Sequence, residues 1–88
     1  METEIRIIVF TEDTLETIKE ELFKRLETEE IVELLFMCYP PWAGSLVEQA
    51  AELAGPRFEV GHPNNTEYKE LMRDRKKGLD KYYAKIRT

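Results

Sequence analysis

The sequence lacks the residues and runs that mark most catalytic, secreted and membrane-spanning chains. It contains one cysteine, one histidine and one tryptophan, and no glycine-rich phosphate-binding pattern. One cysteine cannot form an internal disulfide, and one histidine beside it offers too few ligands for a zinc site. We therefore expect no metal and no cofactor.

Long apolar segments are missing as well. The longest apolar runs, 7–10 and 34–39, are far shorter than the ~20 residues that span a bilayer. The chain does not open with a basic region followed by a long apolar segment, so we expect no signal peptide. These absences predict a cytoplasmic protein with no membrane partner.

Composition predicts one small globular domain, residues 1–88. Apolar residues make up 42% and charged residues 35% of the chain. A domain of this length buries only roughly 60–65% of the surface that its unfolded chain exposes, so burial against a second copy would matter. The charge is uneven: residues 1–66 carry 5 − 14 = −9 and residues 67–88 carry 8 − 4 = +4. The basic segment could therefore meet its own acidic body, a second copy or an anionic partner.

Short apolar runs predict three buried strands, at 5–10, 31–38 and 57–60. The first two are rich in isoleucine, valine and leucine with almost no polar alternation, which is typical of strands covered on both faces. Pro40 and Pro41 stop the second run, because proline cannot continue a strand ladder.

Helical spacing fills the gaps between the strands. Apolar residues at steps of three and four predict a first helix over 14–27, with Asp13 as its N-cap. Ser45 and Glu48 have the spacing of a capping box, which predicts the start of a second helix, and Gly55 predicts its end.

The order β-α-β-α-β-α predicts an α/β domain of three layers. Connections of helix length favour parallel strands, so we expect a three-stranded parallel sheet in the order 2-1-3 with helices on both faces. After the third strand, Asn64 can cap a long C-terminal helix over 67–87, which Gly78 interrupts.

This topology gathers candidate site residues at one edge. In open α/β sheets, ligands bind beyond the carboxyl ends of the strands, where three loops of this chain converge. Such a cleft could bind a small ligand or a phosphate, or hold an enzyme's active site. Cys38 and His62 are the candidate catalytic residues. The candidate ligand-binding residues are Glu12, Asp13, Trp42, Gly44, Ser45 and Asn64.

Structural alternatives stand beside each of these roles. Cys38 directly follows an apolar run, which is typical of a cysteine buried in the core. Glu12 and Asp13 could hold a magnesium ion, but helix capping explains Asp13 by itself. Trp42 could stack on a ligand or fold back over the core. In the order 2-1-3 the first strand separates Cys38 from His62 by about 9–10 Å, which argues against direct contact.

The last helix predicts the function that we favour from sequence, which is association with a second copy or another protein. Twenty-one residues, 67–87, span about 31 Å as a helix, whereas a six-residue strand covers about 20 Å, so part of the helix would project. Arg75 lies within its apolar stripe, where a salt bridge would explain it. The expected homodimer interface consists of Leu79, Tyr82, Tyr83 and Ile86.

Two alternatives remain beside this prediction. One is an enzyme or ligand-binding domain that uses the strand-end cleft of Glu12, Asp13, Cys38, Trp42, Ser45 and His62. The other is nucleic-acid binding through the basic helix, against which stand the net charge of −5 and the absence of a nucleic-acid-binding motif.

Overall fold

Four strands and three α-helices alternate along the part of the chain that the computed structural model describes, residues 4–28, 30–78 and 82–87. Short 3-10 turns precede the first helix and follow the second. The strands are β1 (Glu4–Val9), β2 (Ile31–Phe36), β3 (Phe58–Gly61) and β4 (Tyr82–Arg87), and the helices are α1 (Leu15–Glu27), α2 (Ala43–Ala54) and α3 (Asn65–Lys76).

The four strands form one mixed sheet in the order β3-β2-β1-β4. β1, β2 and β3 are parallel, and β4 runs antiparallel to β1. The register places Ile5 between Val32 and Ile86, and Ile8 between Leu35 and Tyr83. Side chains that share a face are therefore fixed across the sheet, because residues paired across strands point to the same side.

The larger core lies between the sheet and the pair α1 and α2. The buried face of α1 packs with that of α2 and with alternate residues of β1 and β2. The spacing of three and four residues on each helix supplies one apolar stripe for this contact. The buried residues of this core are Ile5, Ile7, Val9, Ile18, Leu22, Leu26, Val32, Leu34, Phe36, Leu46, Ala50 and Ala54.

The opposite face of the sheet has a thinner core beneath α3. Of the described residues of α3, only Leu71 is buried, and it packs with Ile8 and Leu35. Phe10 extends this core beyond the end of β1, where its ring stacks on Tyr83 with centroids 6.0 Å apart. Few apolar contacts hold α3, so polar contacts have more weight there than on the other face.

An ion triad fastens the start of α3 to the sheet. Arg6 Nε donates to Glu33 Oε1 at 2.6 Å, and Arg6 Nη1 donates to Glu67 Oε2 at 2.7 Å. Burial lowers the pKa of Arg6, but its hydrogen bonds to Glu67 and Glu33 outweigh that effect, so the pKa lies above its usual value. Arg6 is thus a permanent cation that links β1, β2 and α3.

Several predictions about the individual elements are confirmed. The first helix ends at Glu27 as predicted, and the three apolar runs form strands, although the second ends at Phe36 rather than at residue 38. Gly55 ends α2 with φ of +56°, and Asn64 caps α3 because its Oδ1 accepts from the backbone N–H of Glu67 at 2.8 Å. Helices lie on both faces of the sheet, as expected.

The predicted strand order 2-1-3 is wrong. β3 pairs with β2 rather than with β1, so β1 is not the neighbour of both other parallel strands. The free side of β1 is filled instead by β4, which makes the sheet four-stranded and mixed. Both crossover helices then lie together, which lets the small residues Ala50 and Ala54 of α2 join the core that α1 lines.

The predicted C-terminal helix over 67–87 is also wrong. α3 ends at Lys76, and Gly78 has φ of +107°, a conformation that other residues rarely adopt and that terminates helices. The segment that follows pairs with β1 as β4. Its six residues alternate between the two faces, and aromatic residues such as Tyr82 and Tyr83 favour strands.

Two predicted helix starts need correction. α2 begins at Ala43, so Ser45 is its third residue, and the Ser45 Oγ accepts from Gln49 Nε2 at 3.2 Å instead of capping the helix. Asp13 does not cap α1 either. It lies in the 3-10 turn before the helix and accepts a hydrogen bond from Thr11 Oγ1.

Candidate functional sites

A pocket lies at the carboxyl ends of β2 and β3, and we call it the strand-end pocket. Its volume is about 290 Å³. It forms because β2 and β3 are neighbours, so the loops that follow them meet over the start of α2. The lining residues are Phe36, Cys38, Tyr39, Pro40, Ala43, Gly44, Val47, Val60 and His62.

Cys38 and His62, the two candidate catalytic residues, therefore line the same pocket. The expected separation by the first strand does not apply, because β1 lies on the far side of β2. The ring of His62 contacts that of Tyr39, with centroids 5.8 Å apart at 36°. Tyr39 is 89% exposed, so this aromatic pair forms the outer rim of the pocket.

The electrostatic environment of Cys38 does not favour a nucleophile. Burial raises the pKa of the Cys38 thiol, and Glu12 raises that pKa further, while Arg75 lowers it. A reactive cysteine needs the opposite shift, since the thiolate is the attacking form. The pocket therefore presents a protonated thiol at neutral pH, as one more weakly polar group in an apolar lining.

Trp42 folds back onto the body of the protein. Its Nε1 donates to the backbone oxygen of Glu12 at 2.6 Å, and its ring lies 6.2 Å from that of Phe36. This contact ties the turn before α1 to the turn before α2. A smaller depression of about 110 Å³ lies beside Trp42 and is lined in part by Ser45.

The remaining candidate ligand-binding residues do not share one cleft. Gly44 lines the strand-end pocket, whereas Ser45 lines the depression beside Trp42. Glu12 and Asp13 are exposed in the 3-10 turn after β1. Asn64 is committed to capping α3. The structure thus brings together Cys38, Gly44 and His62, together with Tyr39, Val47 and Val60, which sequence reasoning missed.

The outer edge of β4 is a second candidate site. In the described part of the chain, no strand pairs with that side of β4. Tyr82 and Tyr83 are half-buried against the two cores, one on each face. Beyond them Ala84 and Lys85 are exposed, and Ile86 is 64% exposed. Of the predicted interface, Leu79 lies outside the described residues.

Basic residues also line a shallow groove of about 320 Å³ along α3. Lys69, Arg73 and Lys76 lie at helical spacing beside Tyr68, which is partly exposed. Arg75 takes a different position: its guanidinium lies 5.7 Å from the centroid of the Phe10 ring, which accounts for an arginine in the apolar stripe. Nucleic-acid binding through the basic segment stays a prediction, and its cations now fall on two separate elements.

The hydroxyl of Tyr83 is buried and has no hydrogen-bond partner among the described residues. Burial raises the pKa of Tyr83, and Asp74 adds to this effect. Neither this group nor the Arg6 triad was anticipated from sequence. An arginine in the middle of an apolar strand was the available signal for the triad, since a buried arginine requires carboxylate partners.

Over the described residues, no group of three or more histidine, cysteine, aspartate and glutamate side chains is arranged to hold a metal ion. No helix in that part of the chain is long and apolar enough to cross a membrane. Comparisons with protein-family models, with curated proteins and with solved structures gave no match. What the geometry defines is a small α/β domain with a four-stranded mixed sheet, an apolar strand-end pocket and an open edge at β4.

Proposed function

We propose that this domain acts without catalysis, by associating with a second copy of itself through the outer edge of β4. The observation that carries the proposal is this edge, with Ile86 64% exposed on it. An open strand presents a row of backbone N–H and C=O groups that another strand can pair with. The proposal keeps the association predicted from sequence and moves it from a helix to a strand.

The two edges of the sheet differ in their fitness for this role. β3 has four residues, of which Glu59 and Val60 are exposed, while β4 has six, of which Ala84, Lys85 and Ile86 are exposed. Short edge strands and edge lysines are both common ways of preventing pairing, so β4 is favoured by its length and in spite of Lys85. A second copy on β4 would also cover Ile86, which at 64% is the more exposed of the two apolar edge residues, Val60 of β3 being 42% exposed.

The test is the size of the native particle over a range of concentrations. We expect sedimentation to show a dimer in the micromolar range, and Ile86→Lys to shift the protein to monomer. Leu53→Lys is the matched control, because Leu53 is also a large exposed apolar residue, at 50%, but lies on α2. A wild-type chain that sediments as a monomer at high micromolar concentration overturns the proposal.

A second candidate function is supported by the strand-end pocket, which would bind a small uncharged apolar molecule. None of its lining residues is an aspartate, glutamate, lysine or arginine. The protonated Cys38 also favours a binding site over a catalytic one. Apolar pockets with few polar groups are the usual form of small-molecule sites.

Indole is a suitable probe of this second function, with binding followed by the methyl resonances of Val47 and Val60. We expect Val47→Phe to fill the pocket and weaken binding at least about tenfold, a loss of about 1.4 kcal/mol. Leu53→Phe, on the same helix but outside the lining, should leave binding unchanged. Equal affinities in the two variants would exclude the pocket as the binding site.

A further inference from the structure

Symmetry restricts how two copies of β4 can pair. Two antiparallel strands side by side in one sheet are related by a two-fold axis perpendicular to the sheet, which keeps each face on its own side. Residues directly opposite each other share a face. On β4, Tyr82, Ala84 and Ile86 lie on the α1 and α2 face, since they pair with Val9, Ile7 and Ile5.

The axis must therefore pass beside a residue of β4 that lies directly opposite the same residue of the second copy. An axis at residue 83, 84, 85 or 86 would let at least three residues of β4 pair. An axis at Lys85 would place the two copies of Lys85 opposite each other. An axis at Ile86 would place Lys85 opposite the second copy's Arg87. Cations placed directly opposite each other destabilise a sheet. An axis at Tyr83 would pair only three residues of β4 and would leave Ile86 uncovered.

Over residues 82–86, the register centred on Ala84 avoids both defects, and Arg87 would lie opposite residue 81, which is outside the described residues. Ala84 then faces the second copy's Ala84, where two small side chains permit close approach. Tyr82 faces the second copy's Ile86, an aromatic pair with a β-branched residue of the kind that stabilises sheets. On the other face Tyr83 meets Lys85, so Lys85 lies opposite a phenol instead of another cation.

We infer that the dimer forms by antiparallel pairing of β4 with β4 about an axis at Ala84, giving one continuous sheet of 2 × 4 = 8 strands. This inference rests on the proposed function and adds the residues that meet. The exposed Ile86 of each copy becomes covered by Tyr82 of the other. In this arrangement α1 and α2 of both copies lie on one side of the sheet, and both α3 helices lie on the other.

Cysteine cross-linking tests the register directly. In a Cys38→Ala background, Ala84→Cys would place two thiols on directly opposed residues, with Cα atoms about 4.5–5.5 Å apart, which a disulfide can bridge. Lys85→Cys is the matched control, since residue 85 is also exposed and is adjacent to residue 84. Its two copies would be offset by two residues along the strands, about 8 Å apart, beyond the reach of a disulfide.

We expect mild oxidation to convert the Ala84→Cys protein to covalent dimer at least about tenfold faster than the Lys85→Cys protein. Adding Ile86→Lys to the Ala84→Cys protein should remove this advantage. Faster cross-linking from residue 85, or from neither residue in a particle that sediments as a dimer, overturns the register and leaves association standing. A wild-type particle that sediments as a monomer overturns the proposed function as well, so the two failures are distinguishable.

Discussion

Replacing Glu67 by glutamine should loosen α3 selectively, and the ion triad gives the reason. Glu67 accepts from Arg6 at 2.7 Å, and the two side chains are 30% and 17% exposed. A charge-assisted hydrogen bond contributes about 1.5–3 kcal/mol when shielded, and an exposed ion pair about 0–1 kcal/mol. This partly exposed pair lies between, so we expect the free energy of unfolding to fall by about 1–2 kcal/mol.

The effect should concentrate in α3 because little else holds that helix. Leu71 is its only buried residue among those described, so the contact of Glu67 with Arg6 carries a large share of the attachment. Amide hydrogen exchange is the assay that separates local opening from global unfolding. Exchange in α3 should accelerate more than exchange in β2.

Glu70→Gln is the control, since it removes the same charge from an exposed position one turn further along α3. Surface substitutions of this kind usually change stability by less than about 0.5 kcal/mol. Equal effects of Glu67→Gln and Glu70→Gln, or acceleration spread evenly over the sheet, would refute the reasoning. The ion pair would then be screened by solvent and would not hold α3.

Three further expectations concern the cap of α3, the two tyrosines of β4 and Cys38. Asn64→Ala should lower the free energy of unfolding by about 0.5–2 kcal/mol, measured by urea denaturation, because it removes the cap of α3. Burial raises the pKa of both Tyr82 and Tyr83 in the folded chain, so stability should be full below about pH 10 and fall as pH rises beyond it. Melting temperatures from pH 8 to 11 would show this decline, and Tyr83→Phe should flatten it; an unchanged slope would contradict the assignment. With its pKa raised, Cys38 should react with a thiol reagent at pH 7 more slowly than free cysteine does, and a faster reaction would revive a catalytic role.

Local sequence was sufficient to predict the elements up to α3. Runs such as 5–10 lack the spacing of a helix, and the stripe of α1 lacks the alternation of a strand, so each pattern had one interpretation. The pattern of the segment after Gly78 had two interpretations, a helix and a strand. Tyr82, Tyr83 and Ile86 fit the apolar stripe of a helix. The six residues 82–87 also alternate between two faces as a strand does, and only their pairing with β1 decides between helix and strand.

The order of the strands could not be predicted from local sequence for a related reason. Whether the third strand joins β1 or β2 depends on which edge β4 occupies, and β4 was assigned to a helix. The wrong strand order also made the predicted separation of Cys38 and His62 wrong, because these residues line one pocket only when β2 and β3 are neighbours. The general rule that ligands bind beyond the carboxyl ends of strands pointed to the edge of the sheet where the strand-end pocket lies.

The antiparallel pairing of β1 with β4 has a consequence for the order of folding. Val9 and Tyr82 pair across 82 − 9 = 73 residues, whereas β1 and β2 are joined through a single helix. Closing a loop of that length costs on the order of 4 kcal/mol if nothing between has folded. The parallel β1-β2-β3 unit should therefore form first and β4 dock last, as the slow step. Until then the apolar β1 has one unpaired side, which presents an isoleucine-rich strand edge of the kind that promotes aggregation.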